Sequence, residues 1–524
     1  MPVSNERFGS RQRRNKVSVK YALEMSARKN KTFTLAALAA ILAVSTVLHF
    51  WRISYPSRPL FDEAHFATYA ADYATHRAFY DIHPPFGKLM YAAVLSFVMP
   101  GDFSGASEFI VTKLNPKTNH LDTTDAGLPF GDFPYVPLRA ASAVVGILLP
   151  LVFYGFLRAL GLGTVGSSLG ALFVALENAL LLDTRLILLN TMFIVLGLAA
   201  LTLYFQNNRR PVAGGVVWGL ALATKLSAIV FLAPVVIGYY LIRSSTNRKE
   251  NHIFERSLGK KFFFAGIAVL ILISSLNLVF FSTHDRLNVL ESLGWLYKGP
   301  AASSSAGSTF LASVGATAVD VALSLSNYVE GPPHPQGSPW YLWPAMQIPM
   351  PFYGESDGAS VKQIVLQGNY VIWFSATLAV VVGFAVFYRY LRGYLRPPLT
   401  MLAQEGGRKE GDVISRPSDE ANSPAGRQRN TERTGADVHS FFLLLGGYIG
   451  ALLPFFTLVR RSTFLYHYFP ALLFAIGLLV WFLARALRLE DFDTLNKKQI
   501  FFLSLIILAA VGGFLWTAPV TYGL

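Results

Sequence analysis

The feature that most constrains this chain is a series of long apolar runs. Runs of roughly 17–25 apolar residues have the length of a helix that crosses the hydrocarbon core of a bilayer. Such runs lie at about 33–50, 138–160, 165–182, 186–206, 212–243, 262–281, 369–391, 440–459, 465–486 and 499–517. Only 15% of the residues are charged, against about one-quarter in a soluble domain. The sequence therefore predicts an all-α polytopic membrane protein.

The run 212–243 is too long for one crossing, and we predict two short spans that break near Leu226 and Ser227. The bundle then has about eleven transmembrane helices. Lys and Arg concentrate in the N-terminal tail and in alternate connections, whereas acidic residues outnumber basic ones in segments 52–137 and 282–368. Because Lys and Arg accumulate in cytoplasmic loops, we predict a cytoplasmic N-terminus, an external C-terminus and two large external loops.

These boundaries predict four parts. Residues 1–32 form a basic cytoplasmic tail, which we expect to be retained because it lacks the features of a cleaved signal peptide. An N-terminal membrane module, 33–281, includes the first external loop, 52–137. The second external loop is 282–368, and a C-terminal membrane module is 369–524. The polar segment 404–437 predicts a disordered cytoplasmic loop.

Composition and missing motifs exclude several function classes. The chain has no cysteine, which removes disulfides, thiol catalysis and Cys-based metal sites. The net charge of +14 is confined mainly to predicted cytoplasmic segments, so nucleic acid is not an expected partner. No phosphate-binding loop of the G-x-x-x-x-G-K-[ST] type is present. No metal set or cofactor motif emerges either, so we expect neither.

Two adjacent acids, Asp62 and Glu63, open the first external loop shortly after the first span. Adjacent side chains point in different directions in a strand or a helix, so the two carboxylates are expected to have different roles. One can face a substrate as a general base while the other is held by a cation. The alternatives are structural: a solvated acidic loop, or Asp62 as the N-cap of a helix.

The turn His83-Pro84-Pro85 follows, with ionisable groups close by in the sequence. His65, Asp81, His83 and Lys88 are candidates for shaping a site around the two acids. Helices are expected on either side of the turn, over His65 to His76 and Pro85 to Met99, both on the membrane surface. The alternative for the second helix is a span that enters the membrane, which its Gly87 and Lys88 disfavour. The alternative for the turn is a simple helix start, since proline suits the first helical turn.

Charged residues next to apolar runs are informative because burying a charge in a membrane is costly. Arg139, Arg185 and Lys225 all map to the outer side in the predicted topology. Three cations there suit a phosphate or pyrophosphate headgroup. The alternatives are snorkelling to the interface and internal pairing, above all of Asp183 with Arg185. Glu177 is predicted to lie within the third span.

Two further histidines lie in external segments. His334 belongs to the proline-rich stretch 331–344 of the second external loop, and His467 follows the paired arginines Arg460 and Arg461. Aromatic residues such as those around His467 are common at membrane interfaces, but that belt does not account for the histidine. Both are therefore candidate site-shaping residues.

Together these motifs resemble the protein O-mannosyltransferase family, glycosyltransferase family 39 of the GT-C class. The resemblance is carried across most of the chain by 61–66 (FDEAHF), 83–88 (HPPFGK), 138–139 (LR), 184–189 (TRLILL), Lys225 and 467–472 (HYFPAL). It implies a GT-C-type bundle of about eleven spans. Related transferases that modify lipid A tend to have Lys-Pro-Pro where this chain has His83-Pro84-Pro85.

The resemblance implies an inverting transfer of mannose from polyprenyl- or dolichyl-phosphate mannose to Ser or Thr hydroxyls of extracytoplasmic proteins. Asp62 would be the catalytic base, and Glu63 its partner held by Arg139. Besides membrane lipids, the implied partners are the lipid-linked sugar donor and an acceptor protein. Segment 282–368 is too short for the β-trefoil (MIR) domain of eukaryotic members, which implies a bacterial-type enzyme of the plasma membrane. Asn190 stands where the family often has Asp, so no role is carried over to it.

Two other functions stay open from the sequence. A lipid-linked sugar transferase acting on a glycolipid or cell-wall glycan would need the same Asp62–Glu63 pair. A transporter is less compatible, because transporters usually have repeated halves with polar sites at the membrane midplane. Here the polar residues map to the outer side.

Overall fold

The computed structural model describes residues 5–76, 79, 81–99, 113–115, 120–122, 129–206, 208–245, 249–280, 336–356, 361–395, 424–457 and 462–524. Helices dominate this part, and most of its buried apolar side chains form one hydrophobic cluster. The α-helices are α1 (Asn5–Phe50), α2 (Glu63–Ala74), α3 (Phe86–Val98), α4 (Tyr135–Ala159), α5 (Thr164–Ala175), α6 (Asn178–Thr184), α7 (Asn190–Phe205), α8 (Pro211–Thr224), α9 (Leu232–Ser245), α10 (Lys249–Ser275), α11 (Asn277–Phe280), α12 (Tyr370–Leu395), α13 (Pro424–Thr457), α14 (Phe469–Ala486) and α15 (Lys497–Tyr522).

Each apolar run predicted from the sequence is occupied by helix. Among the described residues, seven helices are long and apolar enough to cross a membrane, or eight if the bent pair α5 and α6 forms one span. Helices α3, α7, α8 and the segment Leu226–Leu241 are shorter apolar helices. The protein is thus a multi-pass membrane protein, and the count of eleven spans stays a prediction.

The two halves of the bundle pack through a few central helices. Helix α8 packs against α7 and α10, and α4 packs against α1, α5 and α7. In the other half, α14 packs against α12 and α13 and also contacts α5. Helix α14 therefore joins the C-terminal helices to the N-terminal ones.

The run 212–243 breaks where the sequence predicted. Helix α8 ends at Thr224, and Lys225 has extended backbone with φ −153° and ψ 127°. A 3₁₀ helix over Leu226–Phe231 then leads into α9. This break puts the Lys225 side chain at the junction of two short helices rather than in the middle of a continuous span.

A second break bends α5 and α6 by 62°. Glu177 lies at this bend, and its carboxylate accepts hydrogen bonds from the backbone amides of Leu180 (2.8 Å) and Asn369 (2.8 Å). The Asn369 side chain donates in turn to the carbonyls of Leu176 (3.0 Å) and Ala510 (2.9 Å). Glu177, predicted to lie within the third span, therefore lies at a bend in that segment, where its carboxylate caps the next helix.

The two segments predicted to be external loops contain the predicted helices and, in addition, short strands. Helices α2 and α3 occupy the two stretches expected to be helical in the first loop. Strands β1 (Lys113–Asn115) and β2 (His120–Asp122) form an antiparallel hairpin, and β3 (Met350–Ser356) pairs antiparallel with β4 (Val361–Leu366). Strand β4 packs against α15. The sequence predicted neither hairpin.

The cytoplasmic segment predicted to be disordered over 404–437 is partly helical. Helix α13 begins at Pro424, so residues 424–437 belong to it. Residues 404–423 lie outside the described part of the chain. The remaining domain boundaries stay predictions.

Candidate active site at the start of helix α2

Glu63 is the first residue of α2, and its side chain is fully buried. One carboxylate oxygen accepts from the Nε of Arg139 (2.8 Å) and the backbone amide of Ile187 (2.9 Å). The other accepts from the Nη2 of Arg139 (2.7 Å) and the backbone amide of Leu60 (2.9 Å). With two donors on each oxygen, this carboxylate is a fixed anchor rather than a mobile proton acceptor.

Arg139 likewise uses its full hydrogen-bonding capacity. Besides its two hydrogen bonds to Glu63, it donates to the backbone carbonyls of Ile53 (3.1 Å), Pro56 (2.9 Å) and Arg58 (3.2 Å). An arginine has five N–H donors, and these five contacts use them all. The predicted Glu63–Arg139 pair is present. Its geometry gives Arg139 a positioning role, so the assignment of Arg139 to a phosphate stays a prediction without support from its contacts.

Asp62 has a different environment from its neighbour, as two adjacent carboxylates should. It occupies the N-cap position of α2, a helix that the structure describes throughout, but its side chain makes no capping hydrogen bond. The residue is partly exposed. The helix-cap alternative for the Asp62 carboxylate is therefore not supported, and its role as a general base stays a prediction.

Phe61 connects Asp62 to the second external loop. Its φ of +51° lies in the left-handed region, which is strained for a bulky side chain. The Phe61 ring stacks on Phe352 of β3, with centroids 5.0 Å apart, and contacts Phe464 (6.0 Å) and Tyr466 (5.8 Å). These contacts fix the backbone directly before Asp62.

Tyr466 links this aromatic cluster to Lys225. The Lys225 Nζ lies 4.9 Å from the Tyr466 ring centroid. The Lys225 ammonium is buried and donates to the Oδ1 of Asn190 (2.7 Å). A cavity adjoins it, lined by Asn190, Phe193, Lys225, Ser227, Val230, Ala451, Phe455, Tyr466, His467 and Pro470. The lining combines the Lys225 ammonium with apolar side chains.

Arg185 lies on the other side of the site and is largely engaged. Its Nε donates to the carbonyl of His49 (3.2 Å), and its Nη2 donates to the carbonyl of Trp51. The guanidinium lies 4.3 Å above the Tyr522 ring, at the end of α15. The suggested pairing partner of Arg185, Asp183, instead accepts hydrogen bonds from Asn190 and Thr191.

Lys88 and Asp81 form a buried ion pair in the first loop, with Nζ and Oδ2 2.6 Å apart. Lys88 also donates to the carbonyl of His83 (2.5 Å), which ties the proline turn to α3. Burial lowers the pKa of the Lys88 ammonium from its ordinary value, and the Asp81 carboxylate opposes that shift. Both residues therefore hold the turn in place.

Gly87 brings this turn against the helix break. A Cβ built at residue 87 would lie 2.6 Å from the Cδ2 of Leu189 and 3.0 Å from the Cγ2 of Thr224. Only glycine permits this approach without a shift of its neighbours. The start of α3 consequently packs against the end of α8, directly before Lys225.

The other predicted histidines are distributed around the site. The His65 ring stacks on Tyr69 (6.2 Å) and the His83 ring on Phe66 (6.1 Å), both within the first loop. His467 lines the Lys225 cavity and stacks on Trp343, 6.1 Å away.

The structure does not test every predicted site residue. His334 lies outside the described residues, as do Arg460 and Arg461. Within the described part of the chain, no group of three or more acidic or histidine side chains could hold a metal ion.

The sequence assigned no role to Asn190, yet this residue is central to the contacts of Lys225. Its amide nitrogen donates to Asp183 Oδ1 (2.8 Å), and its oxygen accepts from Lys225. The three residues come from the end of α6, the start of α7 and the end of α8. No single helical period relates them, so the only available signal was a polar side chain at the start of an apolar run.

Comparison with known proteins decides the family. Residues 39–288 match the family model for dolichyl-phosphate-mannose-protein mannosyltransferase, and residues 318–524 match the C-terminal four-transmembrane region of protein O-mannosyltransferase. The chain belongs to the protein O-mannosyltransferase family. These two matches together cover most of the chain, which agrees with the motifs distributed along it.

Two relatives illustrate how far the similarity extends. Dolichyl-phosphate-mannose–protein mannosyltransferase 1 of Saccharomyces cerevisiae is 28% identical over 291 residues, which are 52% of this chain and 33% of that protein. Protein O-mannosyltransferase 1 of Drosophila pseudoobscura pseudoobscura is 29% identical over 255 residues, 45% of this chain and 26% of that protein. The matched region thus spans only about a quarter to a third of these relatives.

The fold is shared more widely than the sequence. The S. cerevisiae protein O-mannosyltransferase Pmt1–Pmt2 complex, solved with its sugar donor, matches with a TM-score of 0.64 at 16% identity. The match covers 94% of this chain and 90% of the other. It confirms the predicted GT-C-type helical bundle.

Proposed function

We propose that this protein transfers mannose from a lipid-linked phosphate-mannose donor to Ser or Thr hydroxyls of proteins. The observation that carries the proposal is the difference in hydrogen bonding and exposure between two adjacent carboxylates. Arg139 and two backbone amides donate to both oxygens of Glu63, whereas Asp62 is partly exposed and its side chain makes no capping hydrogen bond. Membership of the protein O-mannosyltransferase family supports this chemistry, and the names of the relatives suggest the donor and the acceptor.

In the proposed reaction, Asp62 is the general base. Its carboxylate takes the proton of the acceptor hydroxyl while the hydroxyl oxygen forms a bond to the anomeric carbon of mannose. The bond from that carbon to the phosphate oxygen breaks on the opposite face, and the lipid phosphate leaves with the electron pair. This single displacement inverts the anomeric centre. The phosphate departs as an anion, so no general acid is required.

The leaving phosphate is assigned to the cavity beside Lys225. A cation in a site shielded from water stabilises developing negative charge strongly, and the Lys225 ammonium is buried. The Phe61–Tyr466 contact relates Asp62 to Lys225. Arg185 is a second candidate for the phosphate, and Glu63 with Arg139 positions Asp62.

The finer assignments follow from the sequence. The segregation of Lys and Arg supports a reaction on the external face, with a polyprenyl or dolichyl chain as the lipid. The short second loop supports a bacterial-type enzyme in the plasma membrane. Asp81, His83 and Lys88 shape the site from the first loop, while His65, His334 and His467 complete it from three separate segments.

The test is a transfer assay with the purified protein. It would be incubated with radiolabelled polyprenyl-phosphate mannose and a Ser/Thr-rich peptide, with the same peptide bearing Ala at every Ser and Thr as the control. Label in the first peptide alone is the expected result. Label only in an added glycolipid or glycan acceptor would contradict the protein acceptor, and no transfer to any acceptor would refute the proposed reaction.

A further inference from the structure

We propose that Asn190 is a positioning residue that holds the Lys225 ammonium in place for the phosphate of the lipid donor. This inference rests on the proposed function, because the donor phosphate is the ligand assigned to Lys225. We call the hydrogen-bonded set of Asp183, Asn190 and Lys225 the amide relay. The relay gives Asn190 a role in binding the donor that neither the sequence nor its relatives assign.

Each hydrogen bond of the relay has a defined donor and a defined acceptor. The Asn190 Nδ2 donates to Asp183 Oδ1 (2.8 Å), and the Lys225 Nζ donates to Asn190 Oδ1 (2.7 Å). A carboxylate accepts and an ammonium donates, so only one orientation of the amide satisfies both neighbours. The three side chains are 1%, 5% and 5% exposed. In such a site each hydrogen bond is expensive to lose.

The backbone at Lys225 explains why a relay is needed. Helix α8 has ended at Thr224, and Lys225 is extended. A lysine side chain is long and flexible, and no helical neighbours one turn away on both sides restrain it here. The contact with Asn190 and the Tyr466 ring therefore sets where the ammonium lies relative to the cavity.

The chemistry of the middle residue matters as much as its position. An amide oxygen holds the ammonium without neutralising it, whereas a carboxylate in direct contact would compete with a phosphate for the charge. Asp183 holds the amide in this orientation. Because Asn190 lies between Asp183 and Lys225, the attraction of the carboxylate to the ammonium is weaker. The relay thus combines firm placement with an undiminished charge facing the cavity.

The test is a double-mutant cycle on Asn190 and Lys225. Asn190→Leu should raise the KM for the lipid donor roughly tenfold, the effect of losing one hydrogen bond to a charged group, with little change in kcat. In a Lys225→Leu background the same substitution should change the donor KM less than twofold, because Asn190 acts through Lys225. Asn190→Asp puts a carboxylate in direct contact with the Lys225 ammonium and next to Asp183, so it should not restore the donor affinity that Asn190→Leu loses.

Asn178→Leu is the matched control. Asn178 is another buried asparagine, bonded to the carbonyl of Phe514 and the hydroxyl of Thr521. Its replacement should destabilise the fold but leave the donor KM unchanged, since KM does not depend on how much protein is folded. Equal KM values for the wild type and Asn190→Leu, or fully additive effects in the cycle, would overturn the relay.

A binding measurement separates this inference from the proposed function. Undecaprenyl phosphate, which carries no sugar, would be titrated into the wild type and Asn190→Leu in detergent. Weaker binding by Asn190→Leu supports the relay, and would do so even if no mannose transfer were found, in which case only the proposed function would fall. Equal binding, or none by the wild type, would overturn the relay.

Discussion

Replacing Glu63 with Gln should destabilise the whole outer side of the bundle. Glutamine keeps the shape but puts an NH2 group where a carboxylate oxygen receives two donors, from Arg139 and from a backbone amide. The loss of charge also leaves the fully buried Arg139 without its counter-ion. Removing one partner of a buried ion pair costs about 3–5 kcal/mol.

The assay is thermal unfolding of the purified protein in detergent, followed by intrinsic fluorescence. A loss of that size should lower the apparent Tm by roughly 3–5 °C. The matched control is Glu355→Gln, an exposed residue of β3 bonded to the Tyr353 hydroxyl, which should shift Tm very little. If Glu63→Gln melted within about 1 °C of the wild type, the pair would not be the anchor described here.

Two further predictions concern the donor site and the topology. Lys225→Gln and Arg185→Gln should each raise the KM for the lipid donor, because charge-assisted bonds to phosphate are lost; wild-type kinetics in both variants would remove them from the phosphate site. Cysteines introduced at Ser107 and Ser304 should react with an impermeant maleimide in intact cells, whereas one at Ser423 should not. Labelling of the Ser423→Cys variant before lysis would contradict the cytoplasmic assignment of that loop.

The features that the sequence predicted well are those set by local pattern. Apolar run length marked the helices, and the excessive length of 212–243 located the break at Lys225 within two residues. Turn chemistry at His83-Pro84-Pro85 marked the start of α3. These signals lie within single segments, where hydrophobic length and backbone restriction act directly.

The features that the sequence missed are contacts between distant segments. The Phe61–Phe352 stack joins two external loops, and the Asp183–Asn190 contact crosses a non-helical link. Glu177 illustrates the same limit, because its role at a bend depends on Asn369 from another helix. Local propensity does not specify which polar groups will meet in a packed bundle.

The pairing of Glu63 with Arg139 came from family resemblance rather than from pattern. Spacing alone placed a cation and an acid on the same side of the membrane, without pairing them. The structure supplied the reason for the pairing: Arg139 donates one hydrogen bond to each Glu63 oxygen, and backbone groups use the remaining capacity of both side chains. The part that could not be foreseen was the complete use of all five Arg139 donors.

The transfer rate of Asp62→Asn tests the central claim most directly. Asparagine keeps the size of the side chain but cannot accept the proton of the acceptor hydroxyl. General-base assistance contributes typically about 10²–10⁴-fold, so kcat at saturating donor should fall by that order while binding of the lipid donor stays within about twofold. Near-normal transfer by Asp62→Asn would contradict the account and remove Asp62 from the mechanism.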